Sequence, residues 1–90
     1  MNAIVTINDS NQDKDLRVAF EAEMKKNEWN CITEVQNSYI KNFDSSEHHE
    51  VIKLVQKELD TITYDAEWEN LKFIVVTTNT TFSIMVANKS

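Results

Sequence analysis

Residues 71–87 read LKFIVVTTNTTFSIMVA, and this stretch decides the fold. Phe73, Ile74, Val75 and Val76 are apolar on consecutive positions. Successive strand side chains point to opposite faces, so such a run predicts a strand buried on both sides. Asn79-Thr80 supplies a turn, and Phe82, Ile84 and Val86 then alternate with Thr81, Ser83, Met85 and Ala87. The pair reads as a hairpin that forms the hydrophobic floor of a sheet. From Phe73 to Asn88 no residue is charged. A strand edge so free of charge invites pairing with another chain unless the fold or a partner covers it. The final strands are therefore the expected place of self-association, and the chain is expected to form a homodimer.

The elements before this hairpin complete the pattern. Residues 3–7 are a short β-branched run, apolar on nearly every position, and predict an interior strand. Asn8-Asp9-Ser10-Asn11 ends it. Ser10 and Asp13 have capping-box spacing, and Leu16, Phe20 and Met24, with Ala19 beside them, form one helical stripe. Lys25-Lys26-Asn27 suits the negative end of that helix. Residues 29–36 alternate as a half-buried strand, with Trp29, Cys31, Thr33 and Val35 on the heavier face. Gln36-Asn37 reads as a hairpin turn, and residues 38–43 as the returning strand.

A second helix is expected over about residues 47–59, with Val51, Leu54, Val55, Leu59 and Ile62 on its apolar face. Asp44 and Glu47, or Ser45 or Ser46, supply its cap. Residues 61–70 read as either a short helix or a loop. The element order is strand, helix, strand, strand, helix, strand, with an additional C-terminal strand. That order predicts an α+β, ferredoxin-like sandwich over residues 1–90: an antiparallel sheet with both helices on one face.

Composition narrows the function. Ninety residues make one domain with a thin margin of stability. The net charge of −6 argues against broad phosphate-backbone binding and suits a partner with a basic surface. No stretch reaches membrane-spanning length, and the first residues do not have the pattern of a signal peptide. The expected location is cytoplasmic. Cys31 is the sole cysteine, which excludes an internal disulfide, and its place on the heavier face predicts a buried, inert thiol. The chain contains no glycine and no proline. Turns that need a positive φ must then use the next most tolerant residues, and Asn27, Asn37, Asn70 and Asn79 stand where such turns or caps are wanted. No glycine-rich phosphate loop is present.

Three places carry potential chemistry. Asp9, beside Asn8 and Ser10 at the end of the first strand, suits Mg²⁺ or Mn²⁺, which take oxygen ligands and few carboxylates. Two copies of Asp9 meeting across a dimer axis would share a metal for phosphodiester hydrolysis; the same residues also serve simply as a turn and helix cap. His48 and His49 are adjacent, so they do not share a helix face and cannot chelate one metal, and neither has an evident catalytic partner. Tyr64 and Trp68 lie one helical turn apart among Asp60, Asp65, Glu67 and Glu69. Large aromatics ringed by charge serve as anchors at binding surfaces, or else close the end of a core.

The opening strand Ala3-Ile4-Val5-Thr6-Ile7, Trp29 at the start of the second strand, and Ser38-Tyr39-Ile40 in the third resemble a family of small CRISPR-adaptation nucleases and related virulence-associated ribonucleases. The terminal strand after Asn79 fits as well. The resemblance implies a ferredoxin-like homodimer that exchanges or packs its last strand across the dimer. It further implies that active members cleave RNA or DNA with a metal held by an acidic residue after the first strand. Asp9 is the nearest match, one place after Asn8, with Ser10 beside it.

Two functions follow as expectations. The first is a small acidic, non-enzymatic interaction protein of a prokaryote or its phage, needing no cofactor. It binds a protein partner through Tyr64, Asp65, Glu67, Trp68 and Glu69, and a counter-defence or toxin–antitoxin setting suits its size and acidity. The alternative is a metal-dependent endoribonuclease that acts as a homodimer, with Asp9 at the metal and Ser10 assisting. Nucleic acid is a partner only in that alternative.

Overall fold

The structure, a computed structural model, describes residues 1–8, 14–68 and 71–79. Six elements follow in chain order: β1 (Asn2–Ile7), α1 (Lys14–Lys26), β2 (Asn30–Cys31), β3 (Ser38–Asn42), α2 (His48–Asp65) and β4 (Phe73–Thr78). The strands form one sheet in the order β2-β3-β1-β4, and every neighbouring pair is antiparallel. The fold is the α+β, ferredoxin-like sandwich that the element order predicts. The additional strand after Asn79 and the Ser10–Asp13 cap lie outside the described residues.

β1 is apolar on both faces because it is interior, pairing with β3 on one side and β4 on the other. Its odd residues Ala3, Val5 and Ile7 enter the main core with Tyr39 and Phe43. Phe20 and Met24 of α1, and Val51, Val55, Leu59 and Ile62 of α2, close over that face. Phe20 stands edge-on to both Tyr39 and Trp68, with ring centroids 5.9 and 5.2 Å apart.

Both helices end in the same kind of corner. At the end of α1, Trp29 N–H donates to the Met24 carbonyl and Glu28 N–H to that of Lys25, with Glu28 at φ 67°. At the end of α2, Trp68 N–H donates to the Thr63 carbonyl and Glu67 N–H to that of Tyr64, with Glu67 at φ 58°. These are paired Schellman bonds, a motif that usually places glycine at the left-handed position. In a chain without glycine, glutamate takes it at a cost of about 1–2 kcal/mol. The tryptophan that follows is buried in each case, at 3% and 6% exposure. Burial of a large apolar side chain contributes about 1.5–3 kcal/mol, enough to hold the strained glutamate in place.

The structure departs from the sequence pattern in several places. The expected strand over residues 29–36 contracts to Asn30–Cys31, because the chain turns at once: Val35 N–H donates to the Ile32 carbonyl, and Asn37 takes φ 63° before β3. Among the described residues β2 is the outermost strand on its side, and Cys31 is exposed rather than buried. α2 runs past residue 59 to Asp65, since Ile62 is fully buried and the Thr61 and Thr63 hydroxyls bond back to the Lys57 and Leu59 carbonyls. Leu54 falls at the rim of the stripe and is exposed. β4 is not buried on both sides, because both helices share one face of the sheet. Ile74 and Val76 on the other face are 69% and 53% exposed.

Candidate functional site

The C-terminal end of α2 gathers the acidic aromatic cluster. α2 begins at Glu47, whose carboxylate accepts from the His49 and Glu50 amides. These bonds, with the nearby histidines adding to them, hold its carboxyl below the ordinary glutamate range. Leu59 and Ile62 turn one side of the last three turns into the core. Geometry then sends Tyr64 outward, where it is 83% exposed. Asp60, Asp65 and Glu67 are exposed around it, and Gln56 donates to Asp60 at 2.8 Å. The last turn of α2 has no basic residue. Carboxylates at the negative pole of a helix dipole raise the local negative potential at some expense of stability.

Trp68 does not join this surface. The Schellman corner folds it back onto Phe20, so it closes the end of the core, the other of the two roles weighed for it. Its part in the site is to fix the corner from which Glu67 projects. Glu69 lies outside the described residues.

Asp9 and Ser10 also lie outside the described residues. Beside them, Asn8 continues β1, and its N–H donates to the Lys72 carbonyl. Thr6, Asn8 and Lys72 line a cleft of about 370 Å³ together with Ile7, Phe73 and Ile74. The side chains described there supply a hydroxyl, an amide and a cation, but no carboxylate. Among the described residues no group of three or more His, Cys, Asp or Glu is placed to hold a metal ion. The described cleft residues therefore do not by themselves fit Mg²⁺ or Mn²⁺.

His48 and His49 stack edge-on with centroids 5.4 Å apart in the first turn of α2. His48 Nδ1 shares a hydrogen bond with the Thr77 hydroxyl, which ties the helix start to β4.

One feature had no sequence signal. Cys31 opens onto a cleft of about 320 Å³, lined also by Glu21, Lys25, Trp29 and Tyr39. Arg17 crosses near it, donating to Glu21 at 3.0 Å and to Asn37 Oδ1 at 2.6 Å. Burial pushes the Tyr39 phenol up, and the Arg17 charge opposes that shift. The residues meet only through tertiary contact between α1 and the β2–β3 edge.

Comparisons with protein-family models, with curated proteins and with solved structures found no match to this chain. Among the described residues no helix is long and apolar enough to cross a membrane.

Proposed function

We propose that this chain is a small, non-enzymatic interaction protein of a prokaryote or its phage, acting as a homodimer on a protein partner with a basic surface. The observation that supports this is Tyr64: a large aromatic, 83% exposed, at the negative pole of a helix and among exposed carboxylates. A solvent-exposed tyrosine loses little freedom on binding and offers both apolar area and a hydroxyl. Asp60, Asp65 and Glu67 supply the charge that steers a basic surface onto it, and Glu69 continues the acidic run in sequence. A counter-defence or toxin–antitoxin setting suits such a binder.

The test is capture of partners on immobilised wild type, on Tyr64→Ala and on the paired neutralisation Glu67→Gln, Glu69→Gln. A protein retained by wild type and lost from both variants supports the surface. Undiminished capture by both variants overturns it.

A second reading, a metal-dependent endoribonuclease centred on Asp9, draws on the cleft beside Asn8. Labelled RNA and DNA incubated with Mg²⁺ or Mn²⁺ decide it. Cleavage that disappears in a folded Asp9→Ala variant supports the nuclease. Equal cleavage by both, or none, removes it.

A further inference from the structure

The cleft where β1 ends beside the start of β4 is built from hydrogen-bond donors. Register assembles it. Thr6 stands opposite Ile74, and the 2.9 Å bond from the Asn8 N–H to the Lys72 carbonyl carries the pairing one step further. Strand alternation puts the side chains of Thr6, Asn8, Lys72 and Ile74 on the helix-free face, where all four are exposed. They border the space of about 370 Å³. The other residues in the paired rows of that face are Asn, Ser, Thr, Ile and Val, so Lys72 meets no carboxylate there. An ammonium beside neutral and apolar groups attracts an anion more strongly than one immersed in water.

A buried neighbour orients the Thr6 hydroxyl. Ser38 is 2% exposed, and its hydroxyl lies 2.9 Å from that of Thr6. A buried O–H donates where an acceptor is in reach, because leaving it orphaned is costly. Ser38 therefore donates to Thr6, whose own proton is left to point to the exposed side, into the cleft. The Asn8 amide adds N–H donors, and the Lys72 ammonium adds donors with charge.

We propose that this cleft binds a phosphate group, whose oxygens accept from the Lys72 ammonium, the Thr6 hydroxyl and the Asn8 amide. Donors on two strands that border one space suit the several oxygens of a phosphate better than the two of a carboxylate. Ile74, 69% exposed, supplies an apolar wall against which the carbon skeleton of a phosphate ester lies. Free phosphate and a nucleotide share this chemistry, and the wall favours the nucleotide. The net charge of −6 opposes a long phosphate track, so one group held at one lysine binds in the millimolar range. The site is separate from the partner surface at Tyr64. It requires no cleavage and so does not depend on the nuclease reading.

The test is titration of the ¹⁵N-labelled chain with inorganic phosphate, uridine monophosphate and acetate at constant ionic strength, followed by amide shifts. Wild type is compared with Lys72→Met, and with Lys53→Met, which removes the same charge from an exposed position on α2. Phosphate and the nucleotide should shift the amides of Thr6, Asn8 and Lys72 and saturate. Lys72→Met should weaken both by on the order of 10-fold, whereas Lys53→Met should not. Thr6→Val should weaken them less, and Thr6→Ser, which keeps the hydroxyl, should bind as wild type does. Tighter binding of the nucleotide than of phosphate supports an ester as the ligand; equal binding supports the free ion in the same site. Helical circular dichroism of each variant confirms that the fold is kept. Equal weakening by the two methionine variants overturns the site, since only net charge is then at work. Acetate bound as tightly as phosphate overturns it too, as does the lack of saturation by about 50 mM. Partner capture at Tyr64 and cleavage at Asp9 have their own tests, and none of these outcomes alters them.

Discussion

Glu28 and Glu67 hold left-handed backbone in which their Cβ atoms crowd the following carbonyl. Glycine there escapes the clash but brings extra freedom to the unfolded chain. The balance predicts that Glu28→Gly and Glu67→Gly each stabilise by about 0.5–1 kcal/mol. Urea midpoints should rise with unchanged slopes. A fall at either site would mean that the carboxylate makes a contact outweighing the backbone strain. Glu47 gives a pH signature of its own. Its folded-state pKa lies below the ordinary value of 4.5, so its contribution is fully present above that value. The contribution is lost as pH falls through the lowered pKa. The stability gap between wild type and Glu47→Ala should hold steady near neutrality and close in acid, as followed by helical circular dichroism. Of the asparagines expected at turns, Asn37 alone takes a positive φ among the described residues. Asn27 instead caps α1 through its side chain, which donates to the Glu23 carbonyl. The repeated Glu-Trp pair, Glu28-Trp29 and Glu67-Trp68, was visible in the sequence. Its meaning was not, because glutamate gives no turn signal and only burial of the tryptophan forces the corner.

At the scale of elements, one latch joins three of them. Lys41 of β3 donates to Glu58 of α2 at 2.7 Å and to the Asn27 carbonyl at the end of α1 at 2.8 Å. The Trp29 indole N–H donates to the same Glu58 oxygen, and the Lys41 ammonium lies 5.3 Å from the Phe43 ring centroid. Lys41 and Glu58 are 18% and 23% exposed, so the pair is screened less than a surface one. Lys41→Met should destabilise by about 1–3 kcal/mol, since it leaves Glu58 partly buried and short of a partner. A double-mutant cycle with Glu58→Gln should return a coupling of about 1 kcal/mol; a coupling near zero would reduce the latch to an ordinary surface pair. Alternation with Tyr39 and Phe43 puts residue 41 on the inner face, where a lysine by itself looks misplaced. Its partners lie 14 and 17 residues away. No local pattern encodes them.

For the whole molecule, the two proposed associations, with a second copy and with a basic partner, answer salt in opposite ways. Self-association brings two chains of net charge −6 together, so added salt should tighten it by screening their repulsion. Binding of a basic partner at the end of α2 is driven by attraction, and the same salt should weaken it. Sedimentation and partner titration over about 50 to 500 mM NaCl check both signs, because the screening length shortens severalfold across that range. If the two change in the same direction, like-charge repulsion does not govern self-association or attraction does not govern partner binding.

By itself, the sequence determined the element order, the stripes of α1 and α2, and the interior place of β1. Each of these follows from local periodicity, and an apolar stripe must find a face to cover. Its reading of Tyr64 and Trp68 as anchors or core-closing residues left the choice open. Tertiary structure decided that Trp68 belongs to the core and that Tyr64 remains outside, because the corner at Glu67 turns one inward and the helix carries the other out. It also decided that β4 is covered on one face only, Cys31 being exposed at the opposite edge. An apolar run shows that a strand is able to bury both sides; only the placement of both helices shows which side goes uncovered.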